Sequence, residues 1–325
     1  MKILVRLPNW LGDLVMSTGF IHQLQQFYPG ASISVIAKKG IHDLLQYFPS
    51  FEHQFIFNKN EYKGIKGLWK FGKEIQKTDQ FDLFFSLPDS FSSAIIGWAS
   101  GAKKRIGFKK EMRGLVMTHT YTKPGHLHRV EEYIALLEMF TGKKAITPNV
   151  SLHHNFQKKQ YVVVNINSEA SSRRLTVPKA VEELKLLRKN IKHPIYLIGA
   201  PKEKPFIDEV LNKLENKSNI ENVAGKTNLP QLVELLASAQ LMLTTDSGPA
   251  HLANALGTNT IVLFGAGNEA NTAPYNAKLL TGIRLGKLSC EPCVKNVCKL
   301  YKVPQCMQQL DMEMIISKVV KQLNP

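Results

Sequence analysis

The sequence predicts an α/β protein built from two Rossmann-like domains, each around a parallel sheet. Three observations lead there. Short aliphatic and β-branched runs alternate with amphipathic segments of helical period, the order that gives a parallel sheet covered by helices. The alternation lapses in a polar stretch, TGKKAITPNVSLHHNFQKKQ (141–160), and then restarts. A chain of 325 residues also exceeds what one core usually serves. The expected domains are 1–155 and 156–325.

KILVRL (2–7) reads as a buried strand. The loop PNWLGD follows, then a helix carrying Met16, Phe20, Leu24 and Phe27 that stops at Pro29-Gly30. SISVIAK (32–38), HQFIFN (53–58) and FDLFFSL (81–87) are further strands, with helices expected near 41–47, 65–77 and 90–99. Residues 103–128 are irregular and rich in Lys, Arg and His, and 130–140 is a helix. In the second half, YVVVNIN (161–167), IYLIGA (195–200), ENVAG (221–225), QLMLTTD (240–246) and TIVLFGA (260–266) read as strands. Helices are expected at 178–190, 203–215, 229–239 and from Pro249. Two such arrays suggest domains facing each other across a cleft, with ligands beyond the carboxyl ends of the strands.

The apolar fraction of 44% and charged fraction of 21% fit a globular chain. The net charge of +16 points to anionic partners: nucleic acid, phosphorylated metabolites or an acidic membrane. The basic residues are spread along the chain and form no arm for gripping nucleic acid. The amino terminus is not a signal peptide, because Arg6 and Pro8 interrupt the apolar run, and no window is apolar enough to span a membrane. A cytoplasmic protein with at most peripheral membrane contact is expected.

The strand ends carry the candidate chemistry. Gly12 allows a tight turn or a close ligand approach, and Asp13 opens the next helix, either as a helix-start carboxylate or as a general base. In NSEASSRR (167–174), Ser168, Arg173 and Arg174 suit a phosphate. Glu203 caps its helix or accepts from a ribose or base. In TTDSGPAHLANALGT (244–258), Pro249 suits the first helical position, which makes Gly248 the cap. The amides of Ala250 and His251 would then be left to an anion, as helix N-termini allow. No G-x-G-x-x-G or Walker-type motif stands at a strand–helix junction.

These stretches resemble glycosyltransferase family 9, the heptosyltransferases of lipopolysaccharide core assembly, over nearly the whole chain. The resemblance rests on RLPNWLGDLVMSTGFIHQLQQFYPGASISVIAK, on GKTNLPQLVELLASAQLMLTTDSGPAHLANALGTNTIVLFG and on the Cys-rich CEPCVKNVCKLYKVPQCMQQL. It implies a GT-B fold, with an acceptor domain followed by a nucleotide-sugar donor domain. It also implies inverting transfer of heptose from ADP-heptose to a lipid A-linked inner core, without a metal or other cofactor. Asp13 would be the base. Ser168, Arg173, Arg174, Glu203, Thr245, Asp246, Ser247, Gly248 and His251 would bind the donor; Gly12, Arg105, Lys109 and Arg113 would bind the acceptor. One departure is Arg173-Arg174-Leu175-Thr176-Val177-Pro178, where relatives often have Lys-Arg-Trp-Pro.

The partners expected are therefore a nucleotide sugar, an anionic core acceptor and the inner-membrane surface, with no nucleic acid. The basic run Lys103, Lys104, Arg105, Lys109, Lys110 and Arg113 would face the acceptor or the membrane. Another nucleotide sugar on the same fold, or a non-catalytic binder of nucleotide sugars or nucleic acid, are the alternatives. Cys290, Cys293, Cys298 and Cys306 fit reduced thiols, a zinc site or redox crosslinks. His126, His128, His153 and His154 show no metal spacing, while His119 and His128 are candidates to reach the cleft.

Overall fold

The computed structural model describes residues 1–324; Pro325, the last residue of the second expected domain, lies outside them, as does the side chain of Glu111. The chain divides into two compact units, one from Met1 to His153 and one from His154 onward.

The first unit runs β1 (Lys2–Arg6), α1 (Leu11–Met16), α2 (Thr18–Phe27), β2 (Ser32–Lys38), β3 (Gln54–Phe57), α3 (Gly64–Thr78), β4 (Leu83–Ser86), α4 (Phe91–Ala99), β5 (Lys104–Phe108), β6 (His119–Tyr121) and α5 (Arg129–Thr141). The second begins with β7 (Lys159–Asn165), α6 (Val177–Asn190), β8 (Ile195–Leu197), α7 (Lys204–Asn212), β9 (Ile220–Asn222) and α8 (Leu229–Ser238). It continues with β10 (Ala239–Thr245), α9 (Gly248–Ala255), β11 (Asn259–Phe264), α10 (Glu269–Thr272), β12 (Leu280–Arg284), α11 (Gln305–Gln308) and α12 (Met312–Leu323).

Each unit holds a parallel sheet. The orders are β3-β2-β1-β4-β5-β6 and β12-β11-β10-β7-β8-β9. Counted within its own unit, each sheet has the doubly wound order 3-2-1-4-5-6, which reverses beside its first strand. The switch point lies between β1 and β4 in the first unit and between β7 and β10 in the second. Arg6 pairs with Ser86, and Asn165 with Thr244. The loops leaving each strand pair therefore start side by side, at the position where such sheets bind ligands.

The central strands are near-continuous apolar runs because helices cover both faces. Val162, Val164, Leu241, Leu243, Ile261 and Leu263 pack with Leu184 and Leu187 of α6 and with Ile315 and Val319 of α12. Leu4, Ile36 and Phe84 pack with Phe71 and Ile75 of α3.

Three strands lie outside the expected set. β5 and β6 fall inside the stretch read as irregular, and β12 follows the last expected strand. β6 has three residues, β5 begins with Lys104-Arg105, and β12 contains Gly282 and ends in Arg284. Short strands with charged ends carry little period-2 signal. Gly12 is not in a tight turn: it belongs to the first turn of α1, which begins at Leu11. Among the described residues, no helix is long and apolar enough to cross a membrane.

Candidate active site

At the switch point of the first unit, Arg6 is buried and donates to the carbonyls of Leu7 at 2.9 Å and Ile36 at 3.1 Å. It also donates to Asn9 Oδ1 at 2.5 Å, and burial pushes its pKa down to about 10. This arginine, which in the sequence only interrupts an apolar run, pins the loop leading to Asp13.

Asp13 sits in the first turn of α1, where the helix dipole favours a carboxylate. Its Oδ1 lies 3.7 Å from Arg129 Nε, close enough for charge balance but too far for a hydrogen bond. Arg129 opens α5 and pairs with Glu132 at 3.0 Å. Lys123 bridges Glu132 at 3.1 Å and Asp89, on the loop after β4, at 3.3 Å. Burial raises the Asp13 pKa above the usual carboxylate value, while Arg129 and Lys123 oppose the rise. A half-desolvated carboxylate held by cations without being consumed by them is suited to accepting a proton. Neither Lys123 nor Arg129 stands out in the sequence, since only the fold brings 123–132 beside Asp13.

The basic run from 103 to 113 does not form one exposed patch. Arg113 is fully buried and donates to the Pro88 carbonyl at 2.9 Å. Arg105 donates to the carbonyls of Val116 and Ala102, both at 2.7 Å. These two arginines brace backbone, whereas Lys109 and Lys110 are exposed. His128 caps α5, its Nδ1 accepting from the Val130 amide at 3.2 Å. His119 packs edge-on against Phe140 at 5.3 Å, and His154 pairs with Glu234 at 2.7 Å.

In the second unit the loop after β7 and the turn after β10 are tied together. Thr245 donates to the Asn167 carbonyl, and Ser168 donates to the Asp246 carbonyl at 3.2 Å. Asn165, unremarked in the sequence, donates to Ser247 Oγ at 2.9 Å. Asp246 is 3% exposed, and its Oδ2 lies 3.1 Å from Arg173 Nη1. Burial raises its pKa, and Arg173 and Arg284 draw it back.

Arg284, at the end of β12, grips Glu269 and the carbonyls of Gly265 and Gly267. This locks the loop after β11 against Asp246. A Cβ at Gly267 would overlap the Asp246 carboxylate. Gly267→Ala is therefore expected to displace Asp246 from Arg173 and lower stability in a urea melt; an unchanged melt would mean that the loop after β11 yields without disturbing the carboxylate.

The helix start differs from the expectation. Ser247, not Gly248, is the N-cap of α9, and Pro249 is the second helical residue. The Ala250 amide already donates to the Ser247 carbonyl at 3.1 Å. The N-terminal end of α9 is thus centred on Ser247 and Gly248, with His251 buried one turn on. Arg173, Ser168, Thr245, Asp246, Ser247 and Gly248 come together. Arg174 turns away and stacks on Phe206 at 4.7 Å. The Glu203 carboxylate accepts from the Ala200 amide at 2.7 Å, so it caps its own turn.

The four cysteines line one small cavity with Ser172, Gly265 and Ala266. They are free thiols, and burial pushes Cys306 up to about 11. Their loop is fastened to the loops after β7 and β11: Ser172 N–H donates to the Asn296 carbonyl at 3.2 Å, and Val294 N–H to the Ala266 carbonyl at 2.8 Å. Among the described residues, no three His, Cys, Asp or Glu side chains are grouped to hold a metal ion.

The family model described as glycosyltransferase family 9 (heptosyltransferase) matches residues 68–303. The chain belongs to this family, and it is a glycosyltransferase. Lipooligosaccharide heptosyltransferase 2 of Campylobacter jejuni is 27% identical to it, over 100% of both chains. The solved structure of E. coli ADP-heptose lps heptosyltransferase II superposes with a TM-score of 0.83 at 24% identity, covering 99% of this chain and 98% of that one. E. coli heptosyltransferase WaaC with ADP-2-deoxy-2-fluoro heptose gives 0.75 at 16% identity, covering 99% of each. These likenesses show the GT-B fold of a family 9 enzyme.

Proposed function

We propose that this glycosyltransferase moves a heptose from ADP-heptose, with inversion, to the inner core of lipopolysaccharide on a membrane-anchored acceptor. One observation carries the reading: both switch points bear a held carboxylate beside an arginine. Asp13 lies near Arg129 in the expected acceptor domain, and Asp246 near Arg173 at the α9 start in the expected donor domain.

In the reaction, Asp13 takes the proton of the acceptor hydroxyl while that oxygen bonds to the anomeric carbon from the face opposite the diphosphate. The bond from the anomeric carbon to the diphosphate breaks, and ADP leaves with its electron pair. Arg173 and the amides at the α9 start stabilise the charge that develops. Ser168, Thr245, Asp246, Ser247, Gly248 and His251 shape the diphosphate and sugar pocket, while Glu203, capping its own turn, and Arg174, stacked on Phe206, brace the loops at its nucleoside side. Gly12 and Lys109, together with Lys123 and Arg129, meet the anionic acceptor, while Arg105 and Arg113 hold the loops around it. The names of the relatives, which include ADP-heptose and a fluorinated analogue, support the donor.

A second reading keeps the fold and changes the sugar. It is favoured by Arg173-Arg174-Leu175-Thr176-Val177-Pro178, which lacks the Lys and Trp of many relatives. Melting with ADP-, UDP- and GDP-sugars separates the two. ADP-heptose at about 100 times Kd is expected to stabilise the fold by about 2.7 kcal/mol. A shift with a UDP- or GDP-sugar and none with ADP-heptose would sink the first reading.

A further inference from the structure

Helix α3, GIKGLWKFGKEIQKT, buries Phe71, Gly72 and Ile75 and turns a mixed apolar and basic face outward. It lies close against α4, since a Cβ at Gly72 would collide with Ala99 and with the Ile96 carbonyl. That closeness brings Trp69 and Trp98 together edge-on, their rings 4.8 Å apart, yet they remain 36% and 45% exposed. Ile65, one turn before Trp69, is 66% exposed. The short 3-10 helix Glu111–Leu115, also packed on α4, leaves Met112 and Leu115 exposed.

Lysines ring this surface. Lys66 and Lys70 are exposed and one position on from Ile65 and Trp69, and Lys73 Nζ lies 5.2 Å from the Trp69 ring. The single acid of α3, Glu74, accepts from the Tyr62 hydroxyl at 2.6 Å and meets Lys70 at 3.9 Å.

We propose that the exposed face of α3 and α4, built on Ile65, Trp69 and Trp98 and ringed by Lys66, Lys70 and Lys73, docks this protein on an anionic phospholipid bilayer. Scattered apolar side chains need no explanation, but a cluster does. The lysines favour a membrane over a second protein copy, because protein interfaces are depleted of lysine. Tryptophan and lysine both place an apolar body in the interface and a polar end in the headgroups, and lysines add attraction to an anionic leaflet. The docking itself needs neither the donor sugar nor Asp13. Its use rests on the proposed acceptor: α4 begins just after Asp89, the partner of Lys123, so the bilayer face and the acceptor loop are the two ends of one helix about 13 Å long.

The test uses the full chain and vesicles free of any acceptor. The chain has three tryptophans, two of them on this face. Vesicles containing phosphatidylglycerol are expected to bind the protein, shift tryptophan emission to the blue and, with brominated acyl chains, quench it. Phosphatidylcholine vesicles should bind at least tenfold more weakly, and added salt should release the protein. Lys66→Glu/Lys70→Glu should lower vesicle binding at least tenfold and leave transfer to a water-soluble acceptor fragment unchanged. Lys318→Glu/Lys321→Glu on α12 should leave binding as it was. Trp69→Ser/Trp98→Ser should abolish quenching, and the lysine variants carry the test if that variant fails to fold. No binding by the wild type, binding indifferent to the lysine reversals, or self-association that those reversals abolish without any vesicle binding would each overturn the proposal. Loss of transfer by Asp13→Asn with vesicle binding intact would leave it standing.

Discussion

Asp13→Asn is expected to lower transfer about 10²–10⁴-fold, the usual worth of a positioned general base, while the melting shift given by the nucleotide sugar persists. The substitution keeps the size and the helix-start position of the side chain and removes only its ability to take a proton. The pH dependence adds a second check. Burial raises the Asp13 pKa and outweighs the opposing pull of Arg129 and Lys123. The acid limb of kcat/KM should therefore lie above that of an unperturbed aspartate. In Arg129→Ala, with one opposing cation gone, it should move higher still. Wild-type turnover in Asp13→Asn would remove Asp13 from the chemistry, and an acid limb unmoved by Arg129→Ala would detach Arg129 from it.

Glu183→Gln is expected to stabilise the fold by about 3 kcal/mol at pH 7. Glu183 lies on the inner side of α6, is 1% exposed, and neither carboxyl oxygen has a hydrogen-bond partner. Burial pushes its pKa from 4.5 to about 8. At neutral pH the folded chain keeps the proton that the unfolded chain has lost. Folding then binds a proton, so stability is greatest below pH 4.5 and falls as pH rises from there to about 8. The wild type should lose about 1.4 kcal/mol per pH unit across that window from this group, and the glutamine variant should not. Urea melts of both proteins from pH 5 to pH 8 measure the difference. Parallel stability curves would show that Glu183 ionises freely in the fold.

Much of the architecture was legible in the sequence because buried parallel strands leave an unmistakable trace. Runs such as KILVRL and YVVVNIN must be apolar throughout, since helices cover both faces of the sheet. The turn TTDSGPAH was legible for a related reason: a strand end followed by small residues and proline starts a helix in few ways. Even there, the local signal was a residue off. Pro249 tolerates the first turn of a helix at more than one position, and the cap fell on Ser247. The strands β5, β6 and β12 were hidden because they are short, interrupted by glycine or polar residues, and gain their place by pairing with neighbours already in the sheet.

The charged residues divide along the same line. The sequence could mark Asp13 and Asp246, because each follows an apolar strand at a recognisable turn. It could not tell a lysine left exposed from an arginine that braces a loop. Arg113 and Arg105 looked like surface charge and turned inward to backbone carbonyls, whereas Arg129 and Lys123, far along the chain, came to lie around Asp13. Arg284 likewise reached back through β12 to lock the loop beside Asp246. The sequence by itself determined two doubly wound units and marked the strand ends that bear Asp13 and Asp246, because hydrophobic period and turn residues act locally. Only the tertiary structure decided which cations stand beside which carboxylates, because long flexible side chains take their partners from whatever segments the sheet order brings together.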